Sequence, residues 1–180
     1  NAGVPAGHCV MHGNNKSEDE LRAAIETGVR HIVVDNFDEL DRLDVLHAQG
    51  LPAPRVQLRV TPGVYVHTHE FVSTGQDDSK FGFNLGNGDA RKAAQRAKTS
   101  DSVQLVGIHC HIGSNVFAAE NFTLAAKIMV DLANELAVDE VTLGGGLGVA
   151  YVASEHAPTI SEWAVHLHTA TVHLNKGITV

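Results

Sequence analysis

The stretch QLVGIHCHIGS, residues 104–114, joins an apolar run to two histidines and then to a Gly-Ser pair. An apolar run of this length, interrupted only by histidines, is typical of a buried strand in a parallel sheet. Side chains alternate along a strand, so His109 and His111 share one face and Cys110 lies on the other. Ligand sites of parallel α/β folds lie at the carboxyl ends of their strands. His111 is therefore the better candidate for chemistry, and we expect His109 to be a buried structural residue one layer deeper.

Similar apolar runs alternate with amphipathic helices along the rest of the chain. This succession of strand and helix without hairpin turns predicts an α/β fold with a parallel sheet. The pattern alone leaves open whether the sheet is doubly wound or belongs to a β/α barrel. A full barrel has eight units and about 250 residues, so a barrel built from this chain would be incomplete. The predicted strands cover residues 8–12, 31–35, 55–60, 104–112 and 139–144, and GITV (177–180) begins a sixth.

Capping signals and apolar spacing locate the helices. Capping boxes at Ser17 with Glu20 and at Thr159 with Glu162 predict two helix starts, and Gly28 predicts the end of the first helix. Further helices are predicted from Asn36 to Gly50, over residues 89–98 and around residues 124–136. The predicted buried stripes are Leu21, Ala24 and Ile25; Leu40, Leu43 and Leu46; Leu124, Ala125, Ile128, Met129, Leu132 and Leu136; and Trp163, Leu167, Ala170 and Leu174.

Composition narrows the class of protein. The 180 residues are 43% hydrophobic, which suits one packed core and a single domain over residues 1–180. A net charge of −8 argues against a nucleic-acid partner. The two cysteines, Cys9 and Cys110, form no CxxC motif, so a reducing cytoplasm is expected. No apolar run reaches eighteen residues, so we expect no membrane span.

Two interpretations of the histidine pair can be compared. An HxH pair at a barrel strand end begins the ligand set of some metal-dependent hydrolases. His67 and His69 could contribute from the long polar segment 61–88, but the next strand end supplies glycines where a ligand is needed. Those glycines, Gly144 to Gly146, together with Gly113-Ser114, favour a phosphate site, because glycines allow close backbone approach and present N–H groups. A histidine beside a phosphate site is typical of a pocket for a phosphorylated aromatic cofactor.

Four stretches of the sequence resemble the diaminopimelate decarboxylase family: HGNNKS (12–17), VTPGVYVHTHEFVSTGQDDSKFGF (60–83), GIHCHIGSNVF (107–117) and LGGGLGVAY (143–151). The stretch HTHE with TGQDDSKFG is the most specific, because it separates this family from the ornithine and arginine decarboxylases. The resemblance implies a pyridoxal-phosphate-binding β/α barrel, of which the chain covers about strands 3 to 7 of 8. It also implies decarboxylation of meso-2,6-diaminopimelate to L-lysine by a cytoplasmic homodimer.

The resemblance also implies roles for individual residues. His111 is expected to stack on the pyridine ring of pyridoxal 5'-phosphate, and Arg59 is expected to lie close to that ring. Ser114 and the backbone of Gly144, Gly145 and Gly146 are expected to hold the phosphate. No metal is expected.

The sequence departs from the family pattern in what it lacks. The Schiff-base lysine of a YAxKAN-type segment is expected before residue 1, and an EPGR-type acidic segment and a second, β domain are expected after Val180. Lys16 and Lys80 are expected to be solvated loop lysines, so the chain alone is expected to be an inactive internal fragment. A decarboxylase of the ornithine or arginine type and a non-catalytic, phosphate-binding barrel remain the alternatives.

Overall fold

The computed structural model describes residues 3–64, 80–153, 155–175 and 179–180. The predicted motif HTHE with TGQDDSK falls mostly on residues 65–79 and so lies outside the described residues. The strands are β1 (Val10–Met11), β2 (His31–Val34), β3 (Arg55–Thr61), β4 (Phe83–Asn84), β5 (Gln104–Cys110) and β6 (Glu140–Leu143). The helices are α1 (Glu18–Thr27), α2 (Phe37–Ala48), α3 (Asp89–Thr99), α4 (Ala119–Leu136) and α5 (Ile160–Thr171).

The strands form one parallel sheet in the order β1-β2-β3-β5-β6, and the short β4 pairs with β3 beside this path. Every neighbouring pair is parallel, and the order follows the chain without the reversal found in doubly wound sheets. The sheet is therefore an arc of a β/α barrel, which decides between the two predicted architectures. Thr179 forms a parallel bridge with Glu140 of β6, at the position of the predicted sixth strand.

The two faces of the sheet differ in chemistry. Ile32, Val34, Val56, Leu58 and Ile108 are fully buried on the outer face, where they pack with apolar residues of the helices in one core. Burial of these side chains supplies the main driving force for folding. Val33 alternates with them on the inner face and is apolar, but most residues at these alternating positions are polar: His31, Asp35, Gln57, Arg59, Thr61, His109, Glu140 and Thr142. The fold thus places its chemistry-bearing side chains inside the barrel arc.

The helix starts agree with the capping signals. The Ser17 and Thr159 hydroxyls each accept a hydrogen bond from the third residue of their helix, and both capping boxes are complete. Gly28 ends α1 in the left-handed conformation, at a φ of 73°. Leu124 is an exception to the predicted stripes, because half of its side chain is exposed on α4.

Two strand predictions need correction. The first strand covers only Val10–Met11, because Ala6–His8 form a 3-10 turn and β1 lies at the sheet edge. The strand β4 was not predicted, since two residues are too few to show a period. Among the described residues, no helix combines the length and apolarity that a membrane crossing needs.

Candidate functional site

Strand register brings four inner-face residues into one row across the sheet. Arg59 of β3 pairs with His109 of β5, which pairs with Thr142 of β6. Asp35 follows Val34, the partner of Leu58, and so extends the row next to Arg59. His111 lies one layer further toward the carboxyl ends of the strands. The predicted division between a deeper His109 and a more accessible His111 matches this arrangement.

Arg59 is held by partners on two sides. Its Nη1 lies 3.2 Å from Oδ1 of Asp35, and its Cζ lies 4.6 Å from the centre of the Phe81 ring. The Arg59 side chain is 15% exposed and the Asp35 side chain 2% exposed, so solvent screens this pair only weakly. The predicted cofactor-facing arginine is therefore an oriented, mostly buried cation.

His109 is a buried, neutral histidine. Burial lowers the pKa of its imidazole to about 3, and the nearby His12, Arg59 and His111 add to this effect. The His109 ring meets the His12 ring edge-on, with the ring centres 5.0 Å apart. Its Nδ1 has no hydrogen-bond partner in the part of the chain that the structure describes. The expected structural role of His109 fits its burial.

His111 lies against the glycine loop that follows β6. A Cβ built on Gly144 would lie 3.0 Å from Nδ1 of His111, and one built on Gly146 would lie 3.4 Å from its Cε1. Burial lowers the pKa of His111, and Arg59 and His12 lower it further. The structure thus brings three predicted site residues together, with the imidazole favoured in its neutral form.

The glycine loop and the loop after β5 are joined by backbone hydrogen bonds. Gly144 N–H donates to the Cys110 carbonyl at 2.9 Å, and Val116 N–H donates to the Gly146 carbonyl at 2.8 Å. A Cβ on Gly144 would lie 2.5 Å from the Cys110 oxygen, and a Cβ on Gly146 would collide with the Gly113 oxygen. Both positions therefore require glycine.

Gly145 differs from its two neighbours. A Cβ built on Gly145 meets no atom within 4 Å, so this residue faces open space. Ser114, from the other loop, is exposed. An exposed glycine backbone and an exposed hydroxyl on two joined loops suit a phosphate group, and the neutral His111 imidazole beside the glycine loop suits an aromatic ring. These residues fit pyridoxal phosphate.

The prediction of Lys16 as a solvated lysine is wrong. Its side chain is 2% exposed, and Nζ lies 2.8 Å from Oε2 of Glu39, whose side chain is fully buried. The ammonium also donates to the carbonyl oxygens of Gly13, at 2.6 Å, and Val33, at 2.7 Å. A buried ammonium requires such compensation, and Glu39, on the inner side of α2, supplies the counter-charge that the local sequence did not reveal. Lys80 is exposed, as predicted.

Sequence reasoning missed three residues that surround this site: His12, Asp35 and Phe81. Asp35 ends the apolar run HIVVD, and a carboxylate at the carboxyl end of a barrel strand is a signal that could have found it. Phe81 and His12 reach the site through contacts between distant segments, which local patterns do not show.

The described residues contain neither a cluster of metal ligands nor, at Cys110, a reactive thiol. No group of three or more His, Cys, Asp or Glu side chains there could hold a metal ion. Cys110 points to the outer face, and burial raises the pKa of its thiol to about 11. The thiol of Cys110 therefore stays protonated and apolar in character.

Comparisons with known sequences identify the family of the chain. The sequence profile of the family "Pyridoxal-dependent decarboxylase, pyridoxal binding domain" matches residues 1–179. The chain is 41% identical over 178 residues to the diaminopimelate decarboxylase of Mycobacterium tuberculosis, covering 93% of this chain and 40% of that protein. It is 42% identical over 168 residues to the Bacillus subtilis enzyme of the same name, covering 90% of this chain and 38% of that protein. The chain thus spans about two fifths of the length of these relatives.

Solved structures lead to the same group of proteins. Diaminopimelate decarboxylase from Helicobacter pylori, complexed with L-lysine, superposes with a TM-score of 0.89 at 27% identity, over 99% of this chain and 46% of that chain. The M. jannaschii enzyme superposes with a TM-score of 0.85 at 30% identity, over 98% of this chain and 43% of that chain. A lysine/ornithine decarboxylase from Vibrio vulnificus, at 19% identity and a TM-score of 0.74, shares the fold. The barrel arc, the joined glycine loops and the match over residues 1–179 show that the chain belongs to the pyridoxal-dependent decarboxylase family, within its pyridoxal-binding domain.

Proposed function

We propose that this chain forms the cofactor-holding part of a pyridoxal-phosphate-dependent decarboxylase that converts meso-2,6-diaminopimelate to L-lysine. The observation that carries the proposal is the meeting of His111 with Gly144 and Gly146 at the carboxyl edge of the sheet, next to the oriented Arg59. Parallel β/α folds bind ligands at this edge. The family match and the relatives named diaminopimelate decarboxylase support the same conclusion.

Each residue has a role in holding the cofactor. Ser114 and the backbone N–H groups of Gly145 and Gly146 would bind the phosphate, His111 would pack on the pyridine ring, and Arg59 would lie close to that ring. The Gly144 N–H donates to the Cys110 carbonyl, so Gly144 would instead hold the glycine loop in place. When bound, pyridoxal phosphate accepts the electrons that the substrate carbon retains as carbon dioxide leaves. The depressed pKa of His111 keeps its imidazole uncharged, so His111 can contact the ring without adding a second cation beside Arg59.

The lysine that binds the cofactor covalently is proposed to come from sequence that flanks these 180 residues. Lys16 is committed to Glu39 and two backbone carbonyls, so it is not available for this role. Lys80 is exposed and lies 5.2 Å from the Phe81 ring centre. The flanking DNA sequence tests this point: an upstream strand-end lysine and a downstream EPGR-like segment are expected, and absence of either contradicts the enzyme proposal.

Diaminopimelate is preferred over ornithine and arginine as the proposed substrate. The relatives named diaminopimelate decarboxylase reach 41–42% identity over nine tenths of the chain. The lysine/ornithine decarboxylase shares only 19% identity and therefore supports the fold alone.

Product analysis with the full-length protein tests the substrate. Purified protein with pyridoxal phosphate is incubated separately with meso-diaminopimelate, L-ornithine and L-arginine, and amines and carbon dioxide are quantified. We expect L-lysine and equimolar carbon dioxide from diaminopimelate, and a much smaller kcat/KM for the other two. Faster decarboxylation of ornithine or arginine would contradict the proposed substrate, and no decarboxylation of any of the three would contradict the proposed enzyme class.

A further inference from the structure

The Asp35 carboxylate links two elements of the site. Its Oδ1 accepts a hydrogen bond from Nη1 of Arg59 at 3.2 Å, and its Oδ2 accepts a hydrogen bond from the backbone N–H of Gly82 at 3.1 Å. The side chain is 2% exposed, so both contacts are made away from bulk water. A buried carboxylate needs such partners to remain charged, and here one of them is the cofactor-facing arginine.

The segment that carries Phe81 and Gly82 is fixed on the strand that carries Arg59. Phe83 and Asn84 pair with Val60 and Thr61, and the Thr61 hydroxyl donates to the Phe81 carbonyl oxygen.

Gly82 allows this close packing. Its φ is 74°, and a Cβ there would lie 2.9 Å from the Arg59 carbonyl oxygen and 3.1 Å from Cγ of Arg59. The segment can therefore lie directly against the arginine that it helps to hold.

Together these contacts leave the Arg59 guanidinium little freedom. The Asp35 carboxylate binds it at one nitrogen, and the Phe81 ring lies 4.6 Å from Cζ. An unrestrained arginine side chain samples many rotamers, and ordering it on ligand binding costs free energy. A guanidinium ordered before the cofactor arrives avoids that cost.

We propose that Asp35 is a positioning residue, which fixes Arg59 together with Phe81 and thereby increases the affinity of the site for pyridoxal phosphate. The inference rests on the proposed function, because it takes Arg59 to face the cofactor. Asp35 itself acts through Arg59 and the Gly82 backbone. Cofactor affinity and the freedom of Arg59 are therefore measured separately.

The freedom of Arg59 can be measured without cofactor. The cofactor-free full-length protein is treated with phenylglyoxal, and modification of Arg59 is followed by peptide mass spectrometry in the wild type and in Asp35→Asn. Asparagine has nearly the size of aspartate and keeps an oxygen that can accept the Gly82 N–H, but it lacks the negative charge that pairs with Arg59. Loss of a hydrogen bond between charged groups is expected to raise the modification rate of Arg59 about tenfold. Asp41→Asn is the matched control, because Asp41 pairs with Arg96 at 2.6 Å on the outer surface.

Cofactor affinity is then measured by titrating the same proteins with pyridoxal phosphate. We expect Asp35→Asn to bind about tenfold more weakly and Asp41→Asn to bind like the wild type. Phe81→Leu, which removes the ring from the other side of Arg59, is a second variant and should shift both readouts in the same direction.

The outcomes separate the two proposals. An unchanged modification rate in Asp35→Asn overturns the positioning role, whatever Phe81→Leu shows. Faster modification with unchanged cofactor affinity also overturns the inference, since it shows that Arg59 does not serve the cofactor. Loss of cofactor binding by the wild type itself would instead contradict the proposed function.

Discussion

The imidazole of His109 makes the stability of the protein depend on pH. Its pKa is about 3 in the folded state, against an ordinary value of 6.5 for an accessible histidine. Between these values the unfolded chain binds a proton that the folded chain does not bind. The free energy of unfolding should therefore fall as the pH is lowered from 6.5 toward 3, by at most about 1.4 kcal/mol per pH unit from this residue.

Urea denaturation of the full-length protein at several pH values measures this slope. His109→Gln, which cannot be protonated, should have a flatter pH dependence than the wild type between pH 6.5 and 4. NMR gives a direct check, because the His109 ring signals should not titrate near pH 6.5. Titration of His109 in that range would contradict the account of a neutral, buried imidazole.

Lys16 is predicted to be a large contributor to stability. Replacing it with methionine leaves the buried Glu39 carboxylate without its cation, and breaking a buried ion pair from one side typically costs about 3–5 kcal/mol. Urea denaturation of Lys16→Met should show a loss of this size. The control is Lys92→Met, whose partner Asp89 lies on the exposed surface and whose removal should matter little. An equally small effect at Lys16 would contradict the structural role of the pair.

At the residue scale, the sequence showed only part of the site. The meeting of His111 with Gly144 and Gly146 could be predicted, because these residues follow the ends of neighbouring strands; the cofactor roles of His111, Ser114 and the glycines stay predictions. The burial of Lys16 could not be predicted, because Glu39, which supplies its counter-charge, lies 23 positions away on α2. The pairing of Asp35 with Arg59 and Gly82 likewise depends on contacts between strands that local sequence does not specify.

At the scale of elements, two glycines of the loop after β6 have different expected roles. One is needed for the structure of the loop, and the other is proposed to lie next to the bound phosphate. Gly146 has a φ of 101° and no room for a Cβ, so Gly146→Ala should disrupt the junction of the two loops. Gly145→Ala adds a methyl group in open space, so its free energy of unfolding should change by no more than about 0.5 kcal/mol. The same methyl group would lie where the phosphate is proposed to bind, so cofactor affinity should fall.

Parallel urea denaturation and pyridoxal-phosphate titration of the two variants check this difference. Gly7→Ala serves as the control, since a Cβ there meets no atom within 4 Å and Gly7 lies outside the loop. Wild-type cofactor affinity in Gly145→Ala would show that the phosphate binds elsewhere.

Elements with strong periodicity and caps could be predicted, and those without could not. The spacing of Leu40, Leu43 and Leu46 gives α2, and all three residues are buried. Strand β4 has two residues and exists because it pairs with β3, so no local period could reveal it. Leu124 continues the apolar spacing of α4 but lies outside the packed stripe, because a helix buries only the side that meets its neighbours.

At the scale of the whole molecule, the 180 residues leave apolar surface uncovered. Five such side chains belong to the loop after β6 and to α5, where they are at least 56% exposed: Val149, Tyr151, Val152, Ile160 and Val165. Strand β1 lies at one end of the sheet path, and open sheet edges and apolar patches promote association.

We therefore predict that residues 1–180 produced alone form oligomers or aggregates. For the full-length protein we propose the homodimer that the family resemblance implies. Size-exclusion chromatography with light scattering measures both masses. A stable, monomeric 180-residue chain would contradict the prediction that further sequence covers these surfaces, and a monomeric full-length protein would contradict the proposed dimer.

The parallel order of the strands could be predicted from the alternation of strands and helices, but the choice between a barrel arc and a doubly wound sheet could not be made from that alternation. Both architectures use the same units, and they differ in strand order, which depends on contacts between distant segments. The family resemblance implied a barrel, and the order β1-β2-β3-β5-β6 confirmed it.

The crystal structure of the full-length protein with pyridoxal phosphate bound tests the central claim most directly. We expect the phosphate within hydrogen-bonding distance of Ser114 and the backbone N–H groups of Gly145 and Gly146, and the pyridine ring packed on His111. A phosphate bound away from these two loops, or a ring without contact to His111, would contradict the account.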